Sequence, residues 1–140
     1  MAHLPSVLLV DDDATTNFLN EYLLRKLGVA ERILVAHNGE EALALLAEAC
    51  GPLGTECPSL VLLDINMPVM NGIEFLEAYN PRPPAPPMVV IALTTTTHPH
   101  DLTRLRKLPV ADVVVKPLTK EKVYTILDQY FQVPGLGPEL

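Results

Sequence analysis

Apolar residues are distributed along this chain in two kinds of segment. Short, nearly continuous apolar runs of strand length, rich in Val, Ile and Leu, lie at residues 7–10, 33–36, 60–63, 88–93 and 113–115. Runs that are apolar on both faces are typical of a parallel sheet that is covered on both sides. The pattern therefore predicts five strands of one buried sheet.

The stretches between these runs carry apolar residues at helical spacing. The first predicted helix covers about residues 15–27, and Gly28 provides its C-terminal stop. Its apolar positions have the spacing of an amphipathic helix, and they are Phe18, Leu19, Tyr22, Leu23 and Leu27.

Four more helices are predicted further along the chain. The second begins at Asn38, a residue suited to the N-cap, with Glu41 three residues on as its capping-box partner, and it continues to about residue 50. The other three are predicted at about residues 73–79, 101–108 and 119–130.

The order of the elements is strand and helix, repeated five times. Because crossovers between parallel strands are right-handed almost without exception, five such units form a doubly wound α/β sandwich with helices on both faces of the sheet. We expect one domain over residues 4–132, followed by a tail at residues 133–140 that is too short to be an output domain.

Composition and charge narrow the function classes. The chain has 140 residues, of which 49% are apolar and 19% charged, as in a folded globular domain. Its formal net charge of −7 argues against a nucleic-acid surface, which needs clustered Lys and Arg. The longest apolar run, at residues 88–93, is far too short to span a membrane, and no signal peptide is visible. We therefore expect a cytoplasmic protein that binds neither membrane nor nucleic acid.

The two cysteines of the chain are Cys50 and Cys57. Their spacing is not that of a metal site, and cysteines of cytoplasmic proteins are normally reduced. We expect a pair of ordinary thiols.

Residues able to carry out chemistry follow four of the five predicted strands. In a doubly wound fold the functional site lies at the carboxyl ends of the strands, where the strand order reverses. Asp11 and Asp12 follow the first strand, and Asp64 follows the third. Thr94 follows the fourth strand and Lys116 the fifth. The sequence therefore predicts three carboxylates, a hydroxyl and an ammonium at one edge of the sheet.

This set of groups is suited to phosphoryl transfer. Oxygen ligands from clustered carboxylates suit Mg²⁺, which would screen Asp64 from an incoming anionic phosphoryl group. Asp64 can then act as a nucleophile that forms an acyl phosphate. Lys116 offers a positive charge, and Thr94 a hydroxyl donor, to the phosphoryl oxygens. Asp13, by contrast, is expected to lie at the start of the first helix.

These residues lie in four motifs, which are VLLVDDD at residues 7–13, LLDINMPVMNG at 62–72, IALT at 91–94 and VKP at 115–117. In these motifs, and over nearly its whole length, the chain resembles the receiver domain of two-component response regulators. That resemblance implies a five-stranded, flavodoxin-like (βα)₅ three-layer sandwich with the strand order 2-1-3-4-5.

The resemblance also implies the roles of the acidic residues. Asp64 would be the phosphoacceptor. Asp12 and Asp64 would ligate Mg²⁺ directly, together with the main-chain carbonyl of Asn66, and Asp11 would act mostly through a metal-bound water. In the family the peptide bond between the lysine and the following proline is usually cis, so Lys116–Pro117 is expected to be cis.

Three positions depart from the family pattern, and the least consequential is Asn71, where an Asp often precedes the glycine but Asn tolerates the tight turn equally well. Thr94 and Lys116 would hold the phosphoryl group and couple it to the rest of the domain. The switch position on the fifth strand is usually aromatic and here is Val113, so the coupled swing of an aromatic ring is not available. The residue after the threonine is usually small and here is Thr95, whose bulk is expected to hinder access to Asp64.

The resemblance implies partners as well. The phosphodonor would be a histidine kinase or a histidine phosphotransfer protein, and a downstream effector protein would bind the face formed by the fourth predicted helix, the fifth strand and the fifth predicted helix. The chain would be a monomer or a weak phosphorylation-dependent dimer. It would be no enzyme beyond its own phosphorylation and autodephosphorylation.

Three other functions are compatible with some of these features. A degenerate receiver, acting as an interaction or dimerisation module without phosphate, is opposed by the complete set of site residues. A phosphatase that resembles haloacid dehalogenases would need a second acid two residues after the nucleophile, where this chain has Asn66. A flavin-binding protein would need a phosphate-cradling loop after the first strand, where three aspartates would repel the phosphate.

Overall fold

The computed structural model describes residues 4–50, 57–65, 67, 70–79, 88–95, 103, 107–108 and 110–131. Asn66, most of the predicted helix at residues 101–108 and the tail at residues 133–140 lie outside the described residues. The predicted face for an effector protein therefore lies partly outside them as well.

Five parallel strands form one sheet. Their bounds are β1 Leu4–Val10, β2 Ala30–Ala36, β3 Leu60–Asp64, β4 Val89–Thr94 and β5 Asp112–Val115. The order across the sheet is β2-β1-β3-β4-β5, as predicted. All five residues of β3, the central strand, are buried, which explains its continuous apolar sequence.

Four described helices cover the sheet. They are α1 Ala14–Leu27, α2 Gly39–Ala49, α3 Gly72–Ala78 and the C-terminal helix Lys120–Tyr130. Gly28 ends α1 in the left-handed conformation, with φ 66°. Asn38 caps α2 as predicted, but the Glu41 carboxylate accepts the N–H of His37 instead of that of Asn38, so the predicted capping box is wrong in its second bond.

The two faces of the sheet carry separate cores, as expected for three layers. Alternate residues of β1 point to opposite sides, so that Leu8 and Val10 pack in one cluster while Val7 and Leu9 pack in the other. Phe75 of α3 belongs to the first cluster, and the second cluster includes Leu24 and Ile126. Each buried aliphatic side chain contributes about 1.5–3 kcal/mol relative to an exposed one.

The apolar positions of α1 do not all face the core. Phe18, Leu19 and Tyr22 are 67%, 56% and 59% exposed. The buried residues of the helix are instead Asn17, Asn20 and Leu24. The amphipathic pattern was therefore misleading here, because the structure accepts asparagine side chains in the interior and leaves apolar ones outside.

The prediction of two free thiols is wrong, because a disulfide joins Cys50 to Cys57, with an S–S distance of 1.93 Å. Cys50 is the C-cap of α2, and Cys57 lies in the segment that leads into β3. Their Cα atoms are 4.5 Å apart, so the bond links the C-terminal end of α2 to the segment that precedes β3. Among the described helices, none is long and apolar enough to cross a membrane.

Candidate functional site

The carboxyl ends of four strands place four predicted residues at one edge of the sheet. Asp11 follows β1, Asp64 ends β3, Thr94 ends β4 and Lys116 follows β5. Asp11, Asp64 and Thr94 are buried, with 3%, 4% and 1% of their surfaces exposed. Asp12 lies beside Asp11 and is exposed. The structure brings the carboxylates of Asp11, Asp12 and Asp64 and the ammonium of Lys116 together at this edge of the sheet, and Thr94 ends the strand that pairs with β3.

Lys116 forms two ion pairs with the buried carboxylates. Its Nζ lies 2.7 Å from Asp11 Oδ2 and 3.2 Å from Asp64 Oδ1. Burial by itself lowers the pKa of Lys116, but the hydrogen bond to Asp11 and the negative charges of Asp64 and Asp11 outweigh it and raise the pKa above its ordinary value. The ammonium therefore stays charged and offsets the repulsion between the carboxylates.

Asp11 is held by three hydrogen bonds, two of its main chain and one of its side chain. Its N–H donates to Ala36 O at 3.1 Å, and its Oδ1 accepts the N–H of Asp13 at 2.9 Å. Its carbonyl accepts Asn17 Nδ2 at 2.8 Å, while Asn17 Oδ1 is buried and has no partner among the described residues. Sequence reasoning missed Asn17, because helical periodicity assigns an asparagine outside the apolar positions to the surface.

Asp13 serves the helix that follows. Its Oδ1 accepts the N–H of Thr15 at 3.0 Å, and its Oδ2 accepts the hydroxyl of Thr16 at 3.0 Å. These two hydrogen bonds, led by that from Thr16, lower the pKa of Asp13. The expectation that Asp13 lies at the start of the first helix is confirmed, because it is the N-cap of α1.

Two glycines allow close packing around the loop that follows Asp64. The N–H of Gly72 donates to Ile65 O at 3.0 Å, and a Cβ at Gly72 would lie 2.6 Å from Asp64 O. The N–H of Gly39 donates to Met70 O at 3.1 Å, and a Cβ there would lie 2.6 Å from Met70 Cγ. Larger residues at either position would push this loop away from its neighbours.

The segment after β5 is held on both sides. The N–H of Lys116 donates to Thr94 O at 2.8 Å, and the Lys116–Pro117 peptide bond is cis, as expected. Lys122, which sequence reasoning missed, donates from Nζ to Val115 O at 2.6 Å and to Pro117 O at 2.9 Å. Its sequence position in a helix offered no signal of these contacts.

Two of the positions that depart from the family pattern, Thr95 and Val113, differ in exposure. Thr95 is exposed immediately after the buried Thr94. Val113 is half-buried and packs against the cluster that contains Leu8. The site therefore has a β-branched residue at its surface and no aromatic ring at the expected place on β5.

The acidic residues fit a small divalent cation. Asp11, Asp12 and Asp64 can each offer one oxygen such that the three ligand atoms lie within 4.8 Å of one another. Carboxylate oxygens are the ligands that Mg²⁺ prefers, and it commonly keeps several waters besides one or two such ligands. The donor set therefore suits magnesium, while Asn66, the expected source of a carbonyl ligand, lies outside the described residues.

Comparison with known proteins places this geometry in a family. The family model described as the response regulator receiver domain matches residues 7–128. A probable chemotaxis protein CheY from Rhizobium etli is 32% identical over 125 residues, which are 89% of this chain and 91% of that protein. A protein-glutamate methylesterase/protein-glutamine glutaminase from Desulfotalea psychrophila is 37% identical over 114 residues. Those residues are 81% of this chain but 29% of that longer protein.

A solved structure shows the same architecture. A two component response regulator from Cytophaga hutchinsonii superposes with a TM-score of 0.79 and is 30% identical. The superposition covers 90% of this chain and 96% of that one. The likeness therefore extends through the sheet and its helices.

Proposed function

The chain belongs to the family of response regulator receiver domains of two-component signalling, and from this premise we propose that Asp64 accepts a phosphoryl group from a histidine kinase or a histidine phosphotransfer protein. The observation that carries the proposal is the position of Asp64, buried at the end of the central strand with an ammonium 3.2 Å from its Oδ1. A buried carboxylate with a cation beside it is poised to react with an anionic donor, because its own charge is already offset.

The residues of the site divide the work of the reaction. A carboxylate oxygen of Asp64 attacks the phosphorus, the bond between phosphorus and the donor nitrogen breaks, and the electron pair leaves with the imidazole of the donor. Lys116 then binds a phosphoryl oxygen, and the Thr94 hydroxyl donates to another. Asp12 and Asp64 would hold Mg²⁺ directly and Asp11 through a water, with the carbonyl of Asn66 as a further ligand. When bound, the cation offsets negative charge that develops on the phosphoryl oxygens.

The exposed side of α1 supports docking of the phosphodonor. Phe18, Leu19 and Tyr22 form an apolar surface on the helix that begins directly after the Asp11–Asp13 loop. Contiguous exposed apolar side chains mark interaction sites more often than isolated ones do. A donor protein seated on this surface would have its phosphohistidine beside the entrance to Asp64.

Phosphorylation would transmit the signal by changing which protein the domain binds. Phosphorylation adds about −1.5 to −2 charge and three strong acceptors. Thr94 and Lys116 reorganise around the phosphoryl group and bias the face formed by the segment after β4, by β5 and by the C-terminal helix, to which an effector protein binds. We propose that the domain is cytoplasmic, acts as a monomer or a weak phosphorylation-dependent dimer, and catalyses only its own phosphorylation and dephosphorylation.

Intact-mass spectrometry with acetyl phosphate and Mg²⁺ tests this proposal. We expect one phosphate adduct on the wild type that depends on Mg²⁺, and none on Asp64→Ala. Asp128→Ala, which removes an exposed carboxylate of the C-terminal helix, is the matched control and should take up phosphate normally.

The alternative is an interaction module that works without phosphate. If Mg²⁺ binds but acetyl phosphate leaves no adduct, purified histidine kinases are added with labelled ATP. Labelling of the wild type but not of Asp64→Ala would support the proposal. If none of the kinases labels the wild type, the phosphate-independent module is favoured.

A further inference from the structure

The ammonium of Lys122 binds two main-chain carbonyls that flank Lys116. Its Nζ lies 2.6 Å from Val115 O and 2.9 Å from Pro117 O. Hydrogen bonds from a charged donor are stronger than those between neutral groups. One side chain therefore restrains the carbonyls of the residues before and after Lys116, the residue that binds Asp11 and Asp64.

The position of Lys122 in its helix gives a second reason to assign it a role. Thr119 is the N-cap of the C-terminal helix, and its Oγ1 accepts the N–H of Lys122 at 3.2 Å, which places the lysine in the first turn. A cation in the first turn opposes the helix dipole. Helix stability thus does not account for a lysine at this position, but binding of the two carbonyls does.

The strand that leads into Lys116 is paired on one side. Among the described strands, β5 is at the edge of the sheet and pairs with β4 alone. The bond from the N–H of Lys116 to Thr94 O, at 2.8 Å, holds the segment on the β4 side. The contacts of Lys122 hold it on the side of the C-terminal helix. Lys116 is therefore fixed between the two.

We propose that Lys122 is a positioning residue for Lys116. It touches neither the phosphoryl group nor the carboxylates, and it acts by keeping the main chain of Lys116 where Nζ reaches both Asp11 and Asp64. This inference rests on the proposed function insofar as it concerns phosphorylation. Its structural part, the restraint of the Lys116 main chain, is independent of phosphate.

The test compares three variants of the full chain. Lys122→Met removes the donors and keeps the length of the side chain. Lys120→Met is the matched control, because it removes one positive charge from the same helical turn at an exposed position. Lys122→Arg restores donors that can reach two carbonyls. The measurements are the rate of phosphorylation by acetyl phosphate at saturating Mg²⁺ and the hydrogen-exchange rate of the Lys116 amide in unphosphorylated protein.

We expect Lys122→Met to slow phosphorylation about tenfold and to speed exchange of the Lys116 amide by a similar factor, the size expected for a lost hydrogen bond to a charged group. Lys120→Met should stay within about twofold of the wild type in both, and Lys122→Arg should recover most of each loss. Equal behaviour of the two methionine variants in the exchange measurement would overturn the proposal.

Two further outcomes separate this proposal from the proposed function. If the wild type takes up no phosphate, the proposed function fails, and the amide exchange still decides the role of Lys122. If Lys122→Met proves to be unfolded in a urea titration, Lys122→Arg decides: near-normal exchange and rate support the positioning role, and values as poor as those expected for methionine contradict it.

Discussion

Lys116 Nζ lies 2.7 Å from Asp11 Oδ2, although the two residues are 105 positions apart in the chain. Asp11 follows β1 and Lys116 follows β5, and β3 and β4 lie between these strands in the sheet. The ammonium thus reaches across the carboxyl ends of two strands, and it meets Asp64 of β3 on the way. This ion pair therefore connects the ends of β1 and β5 across the candidate site.

Replacement of Lys116 by Met should destabilise the protein most when no divalent cation is present. Asp11 and Asp64 would remain buried without this ammonium, and loss of one partner of a buried ion pair costs on the order of 3 kcal/mol. Mg²⁺ should recover a large part of the loss, because it supplies positive charge to the same carboxylates. Urea unfolding of wild type and variant, in EDTA and in MgCl₂, measures both effects. An equal loss under the two conditions would show that Lys116 contributes packing alone.

The hydrogen bonds to Asp13 make the stability of α1 depend on pH. Because the pKa of Asp13 is lowered in the folded protein, its contribution is present above the ordinary value of 3.8 and is lost as the pH falls through the lower folded value. Asp13→Asn keeps an N-cap that does not titrate. We expect the wild type to lose more stability than Asp13→Asn between pH 7 and pH 3 in EDTA. Asp128→Asn is the control for removal of an exposed charge. If the wild type loses as little stability over this pH range as Asp13→Asn does, the prediction is contradicted.

Gly72→Ala should disturb the backbone of the phosphoacceptor directly. The added Cβ would lie 2.6 Å from Asp64 O and 2.9 Å from Ile65 Cα, and main-chain atoms cannot rotate away as a flexible side chain can. Forced overpacking of this kind costs about 1–3 kcal/mol. The loss should appear in urea unfolding together with slower phosphorylation. Gly28→Asn is the control, because nothing lies within 4 Å of a Cβ there and Asn tolerates positive φ.

The different exposures of Phe18 and Leu24 on α1 predict that their replacement by alanine changes the free energy of unfolding by different amounts. Phe18 is 67% exposed and Leu24 is fully buried. Phe18→Ala should change the free energy of unfolding by less than about 0.5 kcal/mol, whereas Leu24→Ala should cost about 2–5 kcal/mol. Thermal or urea unfolding separates the two. A large loss for Phe18→Ala would mean that the outer side of the helix is covered in solution.

Reduction of the disulfide should lower stability without disturbing the site. The bond between Cys50 and Cys57 closes a short loop, and the loss of such a link costs roughly 2–3 kcal/mol through the entropy of the unfolded chain. Unfolding of the wild type with and without dithiothreitol gives the difference, and Cys50→Ser with Cys57→Ser should abolish it. In a reducing compartment the lower value would apply. No response to dithiothreitol would show that the thiols were already free.

The strands and the convergence at their ends could be predicted because they depend on properties that are local or general. Apolar runs identify buried strands, and parallel strands place their carboxyl ends at one edge, so the approach of Asp64 to Asp11 needed no coordinates. Strand bounds were less accurate. β1 begins at Leu4, where pairing with Ala30 and a bond to Val29 O extend it beyond the continuous apolar run.

The features that were missed depend on the exact path of the chain, which brings together groups five to seven positions apart in the sequence. Asn17 is buried because a carbonyl six residues earlier accepts its amide, and periodicity alone assigns such a residue to the surface. Periodicity likewise assigned Phe18 to the apolar face of the helix, whereas its side chain is exposed. Lys122 looks like an ordinary surface lysine until the carbonyls of β5 and of the following loop are in place. The disulfide depends on how close the chain brings Cys57 to the end of α2, which the spacing of the two cysteines did not specify.

The double ion pair of Lys116 also sets the electrical balance of the site. Three carboxylates and one ammonium have a formal charge of two negatives, which one divalent cation would neutralise. Phosphorylation of Asp64 removes its carboxylate charge and adds about −1.5 to −2, so the net charge changes by only about one unit. What changes more is the location of that charge, which moves outward from the end of β3 to the phosphoryl oxygens. The signal of such a domain is therefore a displacement of charge toward Thr94 and Lys116, and a surface potential measured far from the site would register little of it.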